Sequence, residues 1–426
     1  MKGRYIAGID VGSTKICLMV GRADRDGLDI VAAGTVPSQG LRKGVVIDID
    51  ETANSINMAL REAQSASGID IKSAYVGLSG SHIRSAESYG ATGIKEKEVR
   101  QGDIERVIDA ASAIYVPLDR EVLHVLPSEF IIDGQDGIAR PLGMAGVRLE
   151  VKVQVLTASH AVLENLERAL ERAGLKSIEM VFQPLASALA VLKEDELQQG
   201  AVLVDMGGGT TDVALFKGGT LRWAGVIPVG GANTTNDIAV GLKLPQKEAE
   251  RLKRRYGAGQ EKVNLFETEE SVEAKSMSGK SKQISHPELA RIIRMRLEEL
   301  FEILKEEVEP QIIRHQPLCA VITGGGSQMR DIAAMAEGWL GLPVRTGLPE
   351  RVRSTVLRET VRDPQYAAAA GLLLYGLDRE GAEFYKETPL SDSIETVKRT
   401  VAEQGRALAK KFFGRMRPKH FPVEGA

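Results

Sequence analysis

Two short stretches of this chain set an acid beside a glycine turn: IDVGSTK at residues 9–15 and VDMGGGTTD at residues 204–212. Phosphate groups need dense hydrogen-bond donors with no side chain in the way, and glycine turns supply both because their backbone N–H groups converge on an anion. An aspartate at the end of each preceding strand, Asp10 and Asp205, suits Mg²⁺ held through water, since this cation takes few direct carboxylates. Asp212 adds a further carboxylate, Thr210 and Thr211 add hydroxyls, and Lys15 adds a point charge for phosphate. One such turn alone is most often a plain hairpin. Two in register, with a third glycine cluster at Gly324, Gly325 and Gly326, point to a phosphate site.

The elements that must position these residues follow from periodicity. YIAGIDVGSTKICLMV and AVLVDMGGGTTDVALF share one logic of apolar strand, aspartate, glycine turn and second strand, and they lie about 195 residues apart. This spacing predicts an internal duplication with a cleft between two similar α/β halves. ETANSINMALREAQSAS reads as a helix stopped by Gly68, and SAYVGLSG as the strand after it. CAVITGGGSQMRD reads as a strand, a glycine turn and a helix starting near Ser327 or Gln328, whose N-terminal N–H groups face the turn. Between the two units, QGDIERVIDAASAI predicts a helix, and LHVLPSEFIIDGQ and LEVKVQVLTA predict strands, as in a compact inserted domain. A second insertion carries helices near PQKEAERLKRRYG and HPELARIIRMRLEELFEIL. The core is expected to end in a helix finishing at Gly376, followed by a polar linker.

Composition bounds the class. Aromatic residues make up only 4% of the chain, so the cores must be built from aliphatic side chains. Cys17 and Cys319 both lie in apolar strand-like runs and read as buried thiols rather than a disulfide, and the histidines show no ligand spacing. No run reaches the ~18 apolar residues of a membrane span, and Asp10 interrupts the N-terminal apolar run, so no signal peptide is expected and the cytoplasm is. Residues 397–419 hold eight Lys or Arg against one acid, on a chain of formal net charge −3. A mildly acidic body with a basic tail is a functional asymmetry.

The glycine turns resemble those of the actin, Hsp70 and sugar-kinase superfamily. Its first phosphate turn is met by Asp10, Gly12, Ser13, Thr14 and Lys15, and its second by Asp205, Gly207, Gly208, Gly209, Thr210 and Asp212. Its adenosine turn is met by Gly324, Gly325, Gly326 and Ser327, with Ala249, Glu250 and Lys253 on a flanking helix. VFQPLASALAVL is similar to the superfamily's connecting helix, whose water-orienting position is held by Gln183. A glutamine cannot act as a general base, so slow ATP hydrolysis at most is expected. The alternative for Gln183 is a helix-capping polar residue with no catalytic part. SGSHI at residues 79–83, the run from 119 to 158 and VGGANTTNDIA resemble the FtsA family of bacterial division proteins over essentially the whole chain.

That resemblance implies a duplicated actin-like (ribonuclease H-like) α/β fold. The first half is expected at 1–82 with 162–194 and 358–384, and a family-specific insertion at 83–161. The second half is expected at 195–229 with 303–357, its insertion at 230–302, a linker at 385–392 and an amphipathic helix at 393–418. It also implies bound ATP with Mg²⁺, actin-like self-association, and contacts with other division proteins. The FtsZ C-terminal tail would meet Asn236 and Arg296, although the arginine run around Met295 equally suits a solvated face paired with Glu298 and Glu299.

Membrane attachment follows from periodicity as well. At about 100° per residue, Leu408, Phe412, Phe413 and Met416 share one arc, with Lys410 near its opposite border, Lys411 on the far flank and Arg415 at the arc's edge. A basic amphipathic helix beyond an acidic body suits an anionic membrane surface, and the resemblance implies the cytoplasmic face of the cell membrane at the division septum. A helix packed on its own domain and a nucleic-acid arm are the alternatives; the adjacent Phe412 and Phe413 favour lipid over nucleic acid. On the same superfold the other function is a small-molecule kinase. An Hsp70-like chaperone needs a substrate domain that the ~50 residues after Gly376 cannot form.

Overall fold

The structure is a computed structural model that describes residues 4–24, 27–257, 271–354 and 357–379. The expected amphipathic helix at 393–418 and the linker before it lie outside the described residues. In chain order, the strands β1 (Arg4–Val11), β2 (Lys15–Asp24) and β3 (Gly27–Pro37) form a meander, followed by the small pair β4 (Leu41–Arg42) and β5 (Val45–Val46). Helix α1 (Ile49–Ser67) and strand β6 (Ser73–Leu78) come next. The Asp48 side chain accepts from the Glu51 N–H to start α1, and Gly68 ends it in the left-handed conformation at φ 69°. The buried face of α1 lies on β3, where a Cβ at Gly34 would come within 2.1 Å of the Ala59 carbonyl oxygen. Only glycine permits that approach.

After the first insertion come α3 (His160–Arg172), β11 (Lys176–Phe182), α4 (Gln183–Val191) and the short α5 (Glu194–Gln199). The insertion itself contributes β7 (Arg84–Gly93), α2 (Gln101–Ser112), β8 (Arg120–Ile132), β9 (Gln135–Ile138) and β10 (Arg148–Ser159). The second half then opens with β12 (Ala201–Met206), β13 (Thr211–Lys217) and β14 (Thr220–Ile227). It continues through α6 (Gly231–Leu242), α7 (Gln246–Tyr256), the pair β15 (Ser271–Lys275) and β16 (Ser281–Ser285), and α8 (His286–His315). The chain closes with β17 (Cys319–Thr323), α9 (Ile332–Leu340), β18 (Val344–Thr346), α10 (Arg358–Val361) and α11 (Ala367–Arg379).

The duplication is plain in the sheets. One has the order β11-β6-β1-β2-β3 and the other β18-β17-β12-β13-β14. In each, the strand bearing the aspartate pairs antiparallel with the strand after its glycine turn and parallel with a later strand on its other side. The registers place Asp10 opposite Cys17 and Asp205 opposite Asp212. Every residue of β12 is buried, as a central strand covered on both faces must be. Helix α11 packs on α4 with Gly371 against the Ala186 carbonyl, where a Cβ would sit at 1.8 Å. Cys17 and Cys319 are both free thiols, Cys17 buried and Cys319 partly so.

Glu87–Tyr115 and His124–Val155 form a compact unit of their own, built on the sheet β7-β10-β8-β9 with α2. The other described residues belong to a second compact unit, which holds both duplicated sheets.

Three boundaries differ from the sequence reading. The helix expected at Ser327 or Gln328 begins at Ile332. Gly325–Gln328 form a single 3-10 turn, and Asp331, in the left-handed region at φ 56°, separates it from α9. Helix α8 runs past the expected 286–304 to His315 and passes through Pro310. Pro310 is exposed, the core side of the helix still buries Val308, and the Lys217 ammonium donates to the His315 carbonyl at 2.6 Å to hold the far end. Helix α11 extends to Arg379 rather than Gly376, because Leu377 is buried and Arg379 stacks on Tyr375.

Candidate functional site

The two glycine turns meet. A Cβ on Gly208 would lie 2.3 Å from the Thr14 side chain, and one on Gly209 2.6 Å from the Ser13 hydroxyl. Gly12 closes its own turn by donating to the Lys15 carbonyl at 3.1 Å. Ser13 is fixed from the side by the Gly44 N–H at 2.9 Å. The carbonyls of Gly207 and Gly208 accept from Gly231 and Ala232 at 2.9 and 2.8 Å, so the start of α6 seats the back of the second turn. No side chain fits between the turns, whereas Gly325 has its nearest neighbour 3.9 Å away and is exposed.

Below the turns lie three buried acids, each with one oxygen held by a neutral donor. Gln183 donates its amide to Asp10 Oδ1, Ser187 its hydroxyl to Asp205 Oδ2 at 2.6 Å, and Ser79 its hydroxyl to Asp212 Oδ1. The Lys15 ammonium sits 3.6 Å from Asp10 Oδ2, donates to the Gln365 carbonyl, and lies 4.6 Å from the Tyr366 ring centre. Burial pushes the Asp10 carboxyl up, against the pull of Lys15. Burial also pushes Asp205 up to about 6, opposed by the Ser187 hydrogen bond and reinforced by the charge of Asp10. Asp212 is pushed well above the usual carboxylate range by burial, with Asp205 and Asp10 adding to it against Ser79. Thr210 reaches the group, its hydroxyl 3.3 Å from Ser79. The Thr211 hydroxyl does not, for it donates to the Val229 carbonyl at 2.8 Å.

The side expected to take adenosine is built differently. Glu250, on α7, is ion-paired with Lys253 at 2.7 Å and Arg254 at 2.8 Å and accepts from the Thr235 hydroxyl. Burial pushes its carboxyl up, but Lys253, Thr235 and Arg254 outweigh that and hold it at about 2. Lys253 also donates to the Gly231 carbonyl at 3.0 Å, so it ties α7 to the start of α6. Ser327 donates to Gly324 at 2.8 Å within the third turn. The segment Asp363–Tyr366 joins this side to the phosphate side. Pro364 accepts from the Gly324 N–H at 3.2 Å, Asp363 accepts from Gln328 and Gln365, and Gln365 receives Lys15.

The donor set fits a nucleotide with a divalent cation: converging turn backbones for the phosphates and three buried acids beside them. Among the described residues, no group of three or more His, Cys, Asp or Glu side chains is arranged to hold a metal ion directly. The residues missed in the sequence are Ser79, Ser187, Thr235, Gln365 and Tyr366. Ser187 had a usable signal, since it lies one helical turn after Gln183. Ser79 stood in the SGSHI motif but was given no chemistry.

Asn236 and Arg296 lie away from these turns, on α6 and α8. Asn236 accepts from Gln246 at 3.1 Å, and Arg296 pairs with Asp237 at 2.5 Å and Glu299 at 2.6 Å. Arg296 therefore braces α8 against α6, and Glu298 pairs instead with Arg294.

Two family models match the chain: the cell division protein FtsA at residues 202–371, and an SHS2 domain inserted in FtsA at residues 80–157. The second spans the separate compact unit. The cell division protein FtsA of Pseudomonas aeruginosa is 40% identical over 94% of this chain and 98% of its own length. That of Escherichia coli K12 is 35% identical over 94% and 95%. That of Bacillus subtilis is 37% identical over 86% and 82%. Among solved structures, a PilM-PilN type IV pilus biogenesis complex superimposes with a TM-score of 0.65 at 21% identity, covering 87% of this chain and 98% of the other. MreB5 of Spiroplasma citri bound to ADP gives 0.52 at 15% identity, covering 87% and 96%. These neighbours establish the actin-like fold.

Proposed function

The chain belongs to the FtsA family of cell-division proteins, and on that premise we propose that it is a nucleotide-dependent adaptor that fixes FtsZ filaments to the cytoplasmic face of the cell membrane. The observation that carries the nucleotide part is the meeting of the two duplicated glycine turns above Asp10, Asp205 and Asp212. MreB5 of the same fold has been solved with ADP and with AMPPNP, which supports the reading. Magnesium ATP, when bound, supplies a polyanion for the turns and a divalent cation for the acids. Backbone N–H groups of Ser13, Gly208 and Gly209 would bind the phosphates, with Lys15 as a point charge, while those of Gly12 and Gly207 close the turns onto the Lys15 and Asp205 carbonyls. Glu250, Lys253 and the turn Gly324–Ser327 would hold adenosine. Gln183 binds Asp10 through its amide N–H and leaves a carbonyl oxygen as an acceptor for water. It cannot take the proton, so hydrolysis is slow. Loss of Mg-ATP binding in Asp205→Ala, read by calorimetry, tests the assignment. Equal binding by both proteins contradicts it.

The partner reading rests on family resemblance and on one surface. On α6, Val240 is exposed at 68% and Asn236 is exposed too, as is Lys243 at the helix's C-terminal cap. On α8, which Arg296 pairs to Asp237 of α6, Met295 is exposed at 57% and Arg291 is exposed too. A partly apolar, acidic peptide such as the FtsZ tail suits that face. Arg296 keeps α6 and α8 in place beneath it, so Arg296→Glu should weaken a labelled tail peptide in fluorescence anisotropy. Unchanged affinity excludes that residue. Self-association, the division of each half into subdomains at 82/83, 161/162, 229/230 and 302/303, and membrane attachment through Leu408, Phe412, Phe413 and Met416 complete the proposal. No helix of the described residues is long and apolar enough to cross a membrane.

A further inference from the structure

Gln183 and Ser187 stand four residues apart on α4, hence on one face of the helix. Each holds a different member of the duplicated pair of aspartates: Gln183 holds Asp10 of the first sheet, and Ser187 holds Asp205 of the second. The side chain of Ser187 is fully buried, and with Oδ2 taken by its hydroxyl, Asp205 directs Oδ1 toward Gly324, where a Cβ would lie 2.4 Å from that oxygen. Helix α4 packs closely on α11, where Gly371 lies against its Ala186 carbonyl. One helical turn therefore holds one carboxylate oxygen of each of the two acids.

We propose that Ser187 is a positioning residue for the divalent cation at the phosphate turns, and that α4 acts as the spacer that holds Asp10 and Asp205 at the distance a hydrated cation needs. This rests on the nucleotide reading above. A hydrated magnesium ion demands near-octahedral geometry, so acids that bind it through water must present their oxygens in fixed directions. Outer-shell donors that orient carboxylates typically change metal affinity 10–100-fold when removed. A serine that served packing alone would lower stability and leave the cation requirement untouched.

The test titrates Mg²⁺ into the full-length protein with a fluorescent ATP analogue and reads anisotropy, with adenosine binding followed by calorimetry. Ser187→Ala should raise the magnesium concentration for half-maximal binding about tenfold, while adenosine binding stays within about twofold. Gln183→Met should shift the same curve in the same direction. Ser128→Ala, which removes another buried hydroxyl, on β8 of the separate compact unit, should leave it unmoved. If Ser187→Ala does not fold, Ser187→Cys keeps the volume with a weaker donor and should give a smaller shift of the same sign. A magnesium curve identical to wild type in Ser187→Ala or Ser187→Cys overturns the inference alone. A wild-type protein that does not bind the analogue overturns the nucleotide reading and this inference with it, and one that binds it with no magnesium dependence overturns this inference alone.

Discussion

The two ends of the proposed nucleotide cleft handle buried charge in opposite ways. At the adenosine end, Glu250 has two cations and a hydroxyl within contact, and its carboxyl is held at about 2. At the phosphate end, Asp10, Asp205 and Asp212 repel one another, and all three are pushed up by burial. Lys15, the cation acting on Asp10 and Asp205, is itself divided among Asp10, the Gln365 carbonyl and the Tyr366 ring. A self-neutralised end is preformed and indifferent to metal. An end whose acids are held in place by neutral donors gains most from a divalent cation, because buried acids without enough counter-charge are costly.

The largest expected effect breaks this contrast at Asp205. Asp205→Ala should weaken Mg-ATP by on the order of 100-fold in calorimetry, and adenosine alone by about twofold or less. An equal loss for both ligands would mean that the two ends do not act separately.

The contrast also sets a pH response. Asp205, at about 6 in the folded protein and near 3.8 when unfolded, binds more protons folded than unfolded between those values. Its contribution is therefore present at low pH and lost as pH rises through about 6, a change on the order of 2–3 kcal/mol. Glu250 has the opposite sign: its stabilisation is present above about 4.5 and lost as pH falls toward about 2. Urea midpoints of the metal-free protein should thus fall from pH 5 to pH 7 and fall again below pH 4. With saturating Mg-ATP, the fall between pH 5 and 7 should disappear.

Two smaller changes sharpen the picture. Lys253→Met removes the 2.7 Å partner of Glu250 and should cost about 1–2 kcal/mol of stability at pH 7, read from urea midpoints, and weaken adenosine more than it alters the magnesium requirement. Tyr366→Leu removes the ring beside Lys15 and should weaken ATP by about 2–5-fold, with adenosine unchanged in the same calorimetry.

How much of this was legible in the sequence depends on whether the signal was local. The strand, aspartate and glycine turn recur as one contiguous unit, so both sheets and both strand-end acids could be read directly. The stop of helix α1 at Gly68 was read from the sequence, whereas its N-cap, Asp48, was not. Ser79 could not be read as a partner of Asp212, because 133 residues separate them and only the folded chain brings them together. The start of α9 was misread because Asp331 takes a left-handed conformation usually left to glycine or asparagine. Thr211 shows the limit of motif transfer: it lies in the second phosphate turn, yet its hydroxyl is committed to Val229.

The most direct test compares ATP and adenosine binding to the wild-type protein in magnesium and in EDTA, by calorimetry at one pH and ionic strength. The account expects ATP to bind at least about tenfold more weakly in EDTA, while adenosine binds equally in both. ATP binding of equal strength with and without the metal would contradict it, for the three buried acids would then have no part in holding a cation.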